Sequence, residues 1–431
     1  MKEDFLHYIW NNGFFRTKEL KTTQNQRVKI ISRGFHNTNA GPDFLEAKIM
    51  IDEILWVGNV EIHKSSSDWY AHGHEKNPAY DNIILHVVYE DNMPIYNVNN
   101  VQVPSLVLSK YIYQNIVKNY TKLLKNKAII RCQNDISNVN NLTILNYKYK
   151  LYFERLEHKY TIVKNMLNHS NNNWEQVLFE TLLKYFGGVV NKDAFELLSK
   201  YISYEILKKH KNSVFQLEAL LFGISGFLEE KINDAYYQSL QKEFIFLKTK
   251  YELEILPNNI IKFHRLRPLN FPTIRLAQFA QLYHQTDHLF EKLMRIKKPE
   301  ETYKLFEIEA GNYWNTHYNF SKQTKKKVKK IGANFIDIII INVIVPLKFS
   351  YQKYHGTYNN EEIIKLIESI KPEKNSIINI FNKVNLIAGN ALDSQAIIQL
   401  NENYCRKNKC LQCEIGHSIL KKELKNETRE N

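Results

Sequence analysis

The feature that most constrains this chain is a change of hydrophobic period close to residue 111. Before it, short apolar runs of strand length follow one another at residues 27–33, 44–51, 54–63, 83–89 and 101–108. A helical pattern over residues 4–12 precedes them and stops at Gly13. After residue 111 the spacing is helical almost throughout, with candidate helices at 147–167, 174–186, 215–230, 234–251, 273–284 and 361–370. Strand-period and helix-period halves do not fit a single uniform bundle or barrel. The pattern predicts an α+β protein with three parts. Residues 1–110 form an α/β metal-site domain with a small mixed sheet. Residues 111–420 form a mainly helical, basic domain closed by a C-terminal cysteine cluster, and residues 421–431 are a tail.

Charge divides along the same line. Residues 1–110 carry 11 Lys and Arg against 13 Asp and Glu, whereas the remainder carries 48 against 32. Six of the 15 histidines (His7, His36, His63, His72, His74 and His86) fall in the first part. Acid and imidazole chemistry therefore gathers early and attraction for anions later, the arrangement expected of a metal-site domain beside a region that grips a polyanion. Composition is 44% hydrophobic, which excludes a disordered chain, and four cysteines are too few for a disulfide scaffold. The longest apolar run, residues 331–349, is interrupted by Asn334, Asp337 and Asn342. It reads as a buried helix, not a membrane span, and with no apolar leader the expected location is the cytoplasm.

The segments Gly41-Pro42-Asp43-Phe44 and Gly58-Asn59-Val60-Glu61-Ile62-His63 carry the strongest chemistry. Hydrolysis of a phosphodiester with a divalent cation needs hard oxygen ligands and a group that holds water. An Asp at the start of one hairpin strand and a Glu near the end of the other supply the oxygens. If the turn centres on Asp52, Asp43 opposes Glu61, and His63 shares their face. A two-residue Asp52-Glu53 turn would shift the parity by one and separate them. The site therefore requires an odd-residue loop or a bulge, which Gly58 could mark.

Pro42-Asp43 followed by Glu61-x-His63, on a hairpin after an N-terminal helix, resembles the core of the PD-(D/E)xK nucleases over about residues 1–110. The whole chain also resembles an uncharacterised bacterial family with the GPDF and VEIH segments and a Cys-rich C-terminus. The nuclease resemblance implies that Asp43 and Glu61 bind Mg²⁺ or Mn²⁺ and that His63 takes the place of the lysine. The partner expected is nucleic acid, DNA before RNA, and no membrane.

Three further groups stand out. Asp68, His72, His74 and Asp81 follow the hairpin and, with Glu46, are placed as a lining of the cleft. Alternatively, His72 and His74 reach one metal with Asp68 or Asp81 as the third ligand, the mark of a His/carboxylate metalloenzyme acting on a small molecule. Arg265, Arg267 and Arg275 stand close together where lysine dominates the basic residues elsewhere, as a strip for phosphates. The run at 325–330 reads as the solvated start of a helix. Finally, Cys405-x4-Cys410-x2-Cys413 gathers three thiols, with Cys132 as a remote fourth or His417 as a local one, for Zn²⁺ or an iron–sulfur cluster. The leading expectation is a divalent-metal-dependent nuclease. The alternatives are a catalytically inactive nucleic-acid-binding module and the small-molecule metalloenzyme.

Overall fold

The computed structural model describes residues 2–422. Two compact units emerge: residues up to Ile144 together with those from Glu402 onward, and Leu145–Asn401. The change of period near residue 111 falls inside the first unit, and the cysteine-rich segment belongs to that unit as well. An N-terminal region with a mixed sheet precedes a mostly helical one, so the fold is α+β.

The first unit opens with helix α1 (Glu3–Asn12), which buries Phe5, Leu6, Ile9 and Trp10 and ends at Gly13 in the left-handed conformation. Seven strands follow: β1 (Leu20–Lys21), β2 (Arg27–Ser32), β3 (Phe35–His36), β4 (Phe44–Ile51), β5 (Ile54–Ser65), β6 (Ile83–Glu90) and β7 (Ser105–Val107). They form one sheet in the order β1-β2-β4-β5-β6-β7, with β3 paired to β4. The pairs from β1 to β5 are antiparallel, whereas β5–β6 and β6–β7 are parallel. A parallel pair needs a crossover, here the short helix α2 (Asp68–Ala71) and two tight turns. Strand residues 101–104, expected from the sequence, are instead an isolated pairing of Gln102 with Tyr96 followed by a proline. Helix α3 (Gln114–Lys125) completes this core, to which Leu420 returns from the far end of the chain.

Alternation explains what lies where. Val60 and Ile62 of β5 and Leu85 and Val87 of β6 join Phe44 and the apolar side of α1 in the main core. Glu61, His63 and His86 are out of phase with them and lie on the opposite side of the pleat, yet are also buried, at 4%, 0% and 0% exposure. A sheet buried on both sides is unremarkable; one whose second side is lined by ionisable groups is not.

The second unit is helical, with α4 (Asn141–His169) leading into it, then α5 (Trp174–Phe186) and α6 (Gly188–Tyr201). The apolar run at 331–349 lies in a helix spanning Ala333–Tyr354, with a π-turn at Ile340–Ile344. It is the one helix among the described residues long and apolar enough to cross a membrane, and 72% of its most apolar stretch is buried inside the fold. The lysine run at 325–330 is extended, not the start of a helix: Lys329 is fully buried and donates to the Trp314 carbonyl.

Candidate metal centre

The β4–β5 turn decides whether Asp43 and Glu61 meet. Asp52 and Glu53 both adopt left-handed backbone (φ 45° and 73°), giving a two-residue loop whose twist matches the strands. Asp52 Oδ1 secures it by accepting the Arg27 N–H at 2.8 Å. From Ile51–Ile54 to Ala47–Gly58 the register therefore has the parity that separates the two acids. A bulge between Phe44 and Ala47 then adds a residue, so that Phe44 opposes Val60. Its pivot is Glu46 (φ 58°), an exposed residue whose N–H donates to Asn59 Oδ1 at 3.3 Å. The bulge thus sits at Glu46 and not at Gly58. Gly58 is required for a different reason: a Cβ there would meet Ile84 Cγ2 at 2.5 Å and the Asn82 carbonyl at 2.7 Å, where β6 begins.

The restored parity brings the acids together. The Asp43 N–H donates to Glu61 Oε2 at 3.1 Å, and the Ile62 N–H donates to Asp43 Oδ2 at 2.9 Å. Two clusters of potential metal ligands flank this exchange. In one, Glu3 and His7, a helical turn apart on α1, face Asp43, with His7 Nε2 3.2 Å from Asp43 Oδ2. In the other, His63, His72 and His74 each offer a nitrogen, all within 4.8 Å of one another. Glu61 Oε1 borders this second cluster, 3.3 Å from His74 Nε2 and 3.6 Å from His63 Nε2. His63 is held at both nitrogens, by His86 Nε2 at 2.8 Å and His72 Nδ1 at 3.1 Å. His74 stacks on Tyr80 (ring centroids 3.8 Å apart), while its Nδ1 is buried without a hydrogen bond.

Electrostatics follow from burial. Desolvation raises the pKa of Glu61, and the charge of Asp43 adds to it, against the hydrogen-bonding influence of His74 and the Asp43 N–H. Burial, reinforced by His74 and His72, drives His63 down to about 3. His86 lies well below the usual imidazole range, again chiefly through burial. Burial alone would lower His7 too, but the hydrogen bond and charge of Asp43 outweigh it and leave the group raised. Imidazole nitrogens beside carboxylate oxygens, with His63 held neutral by its burial, are a donor set a divalent cation accepts.

The other expected residues divide. Asp68 does not reach the histidines: its Oδ2 accepts the Ser65 N–H at 2.9 Å and shapes the chain entering α2. Asp81 is exposed. Arg265 and Arg267 are exposed, but Arg275 is buried, stacked on Phe335 at 3.7 Å and donating to Gln278 and Asn270, so the three do not share one surface. Cys132, Cys405, Cys410 and Cys413 belong to the first unit and form no disulfide. His417, the local alternative to Cys132, instead engages Tyr8 Oη through Nδ1 at 2.8 Å. Sequence reasoning missed Glu3 and His7, whose four-residue spacing on the polar side of α1 was the available signal. It also left out His86, whose Nε2 braces His63 from the neighbouring strand.

A mixed sheet with carboxylates and imidazoles converging at the end of a bulged hairpin, ahead of a mainly helical region, makes this an α+β protein with a candidate metal site. Residues 3–376 match the family described as a protein of unknown function (DUF2851), and the chain belongs to that family. No curated protein and no solved structure matches it.

Proposed function

We propose that the protein is a divalent-metal-dependent hydrolase of nucleic-acid phosphodiesters, DNA in preference to RNA. The observation that carries this reading is the bulge at Glu46, which lets the Asp43 N–H donate to Glu61 Oε2 and the Asp43 carboxylate accept from the Ile62 N–H, beside His63. The resemblance of Pro42-Asp43 and Glu61-x-His63 to the PD-(D/E)xK core agrees with it. Asp43 and Glu61 would hold Mg²⁺ or Mn²⁺, which when bound polarises phosphate and acidifies water. His63, neutral and braced by His86, is a poor base at neutral pH and a good water-orienting group. The excess of lysine and arginine beyond residue 110 supplies the attraction for a polyanion. Cysteines that form no disulfide suit a reducing, cytoplasmic setting.

One observation favours a second reading. The three nitrogens of His63, His72 and His74 suit a softer cation such as Zn²⁺, with Glu61 as the adjacent base. That arrangement is the small-molecule metalloenzyme, with Glu61 in the place expected for Asp68 or Asp81. Metal content and cleavage of labelled DNA and RNA, measured on Asp43→Ala, Glu61→Ala, His72→Ala and His74→Ala, separate the two. The nuclease reading expects Asp43→Ala and Glu61→Ala to lose Mg²⁺-dependent cleavage while His74→Ala keeps its metal. Full cleavage by both carboxylate variants would falsify it. Metal lost only with the histidines would move the assignment to the second reading.

A further inference from the structure

The four cysteines reach one place from separate stretches of backbone, each fixed locally. Cys132 sits in a turn where its carbonyl accepts the N–H groups of Asp135 (2.9 Å) and Ile136 (3.0 Å), and its side chain packs against the main core together with Leu411. Cys405 ends a π-turn at Asn401–Cys405. Cys410 opens the tight turn Cys410–Gln412, and its carbonyl lies so close to Gly416 that no Cβ fits there. Cys413 precedes the helix Glu414–Leu420, with its carbonyl accepting the His417 N–H at 2.8 Å. That helix is anchored to α3 by Asn119 Nδ2, 3.3 Å from the carbonyls of both Ile419 and Leu420.

The segments meet: the helix that follows Cys413 packs against the Ile136–Asn138 turn that follows Cys132, and Cys132 and Leu411 lie on the same core. Cys410 and Cys413 are close enough to Cys132 for their charges to act on its thiol, as are Cys132, Cys410 and Cys413 to Cys405. Arg131 supplies a positive charge beside Cys410. Thiols serving only as small apolar filler would have no reason to gather from residue 132 and from 405–413.

Spacing discriminates between the metals such a set could hold. A tetrahedral zinc with Zn–S of ~2.3 Å sets its sulfurs about 3.8 Å apart, so any three would fall well inside a 4.8 Å grouping. The ligand triplets this compact among the described residues are His63/His72/His74 and Glu3/His7/Asp43, not the cysteines. An iron–sulfur cluster bridges its irons with sulfide and so spreads the thiolates more widely.

We propose that Cys132, Cys405, Cys410 and Cys413 ligate an iron–sulfur cluster that staples the loop at residues 405–413 to the turn at Cys132. This loop carries Lys407 and Lys409, which line a cavity of about 890 Å³ with His7, His36 and His417. The cluster therefore fixes two cations on the wall that His7 shares with the candidate metal centre. The inference is independent of the reaction proposed above.

The test is made on the full chain purified without oxygen. Iron, acid-labile sulfide and zinc are measured per chain, with the visible absorption spectrum. Iron and sulfide in equal amounts, two or four of each, are expected, with a broad band near 400 nm. Zinc at one per chain without sulfide would overturn the proposal, as would thiols that all alkylate in a folded, metal-free protein. Cys132→Ser is expected to lose at least half of the bound iron. Because that variant could misfold, trypsin cleavage after Lys407 and Lys409 is timed in the wild-type protein before and after oxidative cluster loss. At least a tenfold acceleration is expected, confined to this loop; an unchanged rate would show that the loop is not stapled.

Discussion

The two units bury polar groups in opposite ways. In the second, each buried charge has its own partners: Lys348 pairs with Glu362 at 2.6 Å, Arg275 rests on amide oxygens and a ring, and Glu218 accepts from Tyr236 and, at 3.1 Å, from Trp314 Nε1. Its unpaired buried atoms include scattered single hydroxyls such as those of Tyr152, Thr181 and Tyr283. In the first unit, buried imidazoles and carboxylates face one another. Unbonded nitrogens of His74 and His86 lie on the same side of the sheet as Glu61 and His63, and His7 is paired with Asp43 beside them. Burying polar atoms without partners costs stability, and concentrating that cost in one place is what a ligand site requires. The contrast marks the first unit's polar burial as the candidate for a ligand site.

The sharpest way to break this contrast is to remove the acids. Asp43→Ala and Glu61→Ala are expected to lower metal-dependent cleavage by about 100-fold or more, measured at saturating Mg²⁺ or Mn²⁺. A loss under threefold in both would place the first unit's polar burial with the second's.

Glu218 tests the other side. Burial lifts its carboxyl to about 7, against the lowering hydrogen bonds from Tyr236 and Trp314. The folded state therefore holds this proton more tightly than the unfolded chain. Glu218 costs little near pH 4, and its contribution to stability falls as pH rises from about 4.5 through 7. The ionised form is disfavoured by on the order of 3 kcal/mol at pH 8. Glu218→Gln should remove that slope and stabilise the protein at pH 8, as followed by urea unfolding across pH. A slope identical to that of the wild type would show that the buried acid is not the source.

Gly58→Ala should cost about 1–3 kcal/mol, because the new methyl meets Ile84 and the Asn82 carbonyl and something must move. Since β5 runs on from Gly58 to Glu61, metal affinity should fall with stability. A stable variant with normal affinity would show that the strand tolerates the shift. Asn119→Ala is the smallest perturbation. It removes the donor to the last carbonyls of the helix Glu414–Leu420 and should cost about 1 kcal/mol, read from the denaturation midpoint.

Much of the fold was legible because period and punctuation agree. The helix expected at 174–186 is Trp174–Phe186, and the strand expected at 83–89 is Ile83–Glu90. The hairpin 44–51 and 54–63 was legible with its turn, and so was the need for a bulge. Its location was not, because a left-handed glutamate leaves no compositional mark and the glycine nearby was needed for packing instead. Pairing β5 with β6 in parallel was equally hidden, since strand direction is set by the crossover and not by the strand's own residues. Arg275 resembles a surface arginine in sequence; only the ring of Phe335 and the amides of Gln278 and Asn270 show why it is inside.

The first unit is closed by residues from beyond Asn401, with Leu420 fully buried in the core that α1 begins. A ribosome delivers those residues after the whole of the second unit has been made. The sheet must therefore wait, with part of its core uncovered, while some 257 intervening residues are synthesised and fold. Early termination within that last stretch would leave the helical unit entire and the candidate metal centre's own domain unfinished. The domain that holds the candidate metal centre thus depends on residues beyond Asn401, although the clustered ligands themselves lie between Glu3 and His74.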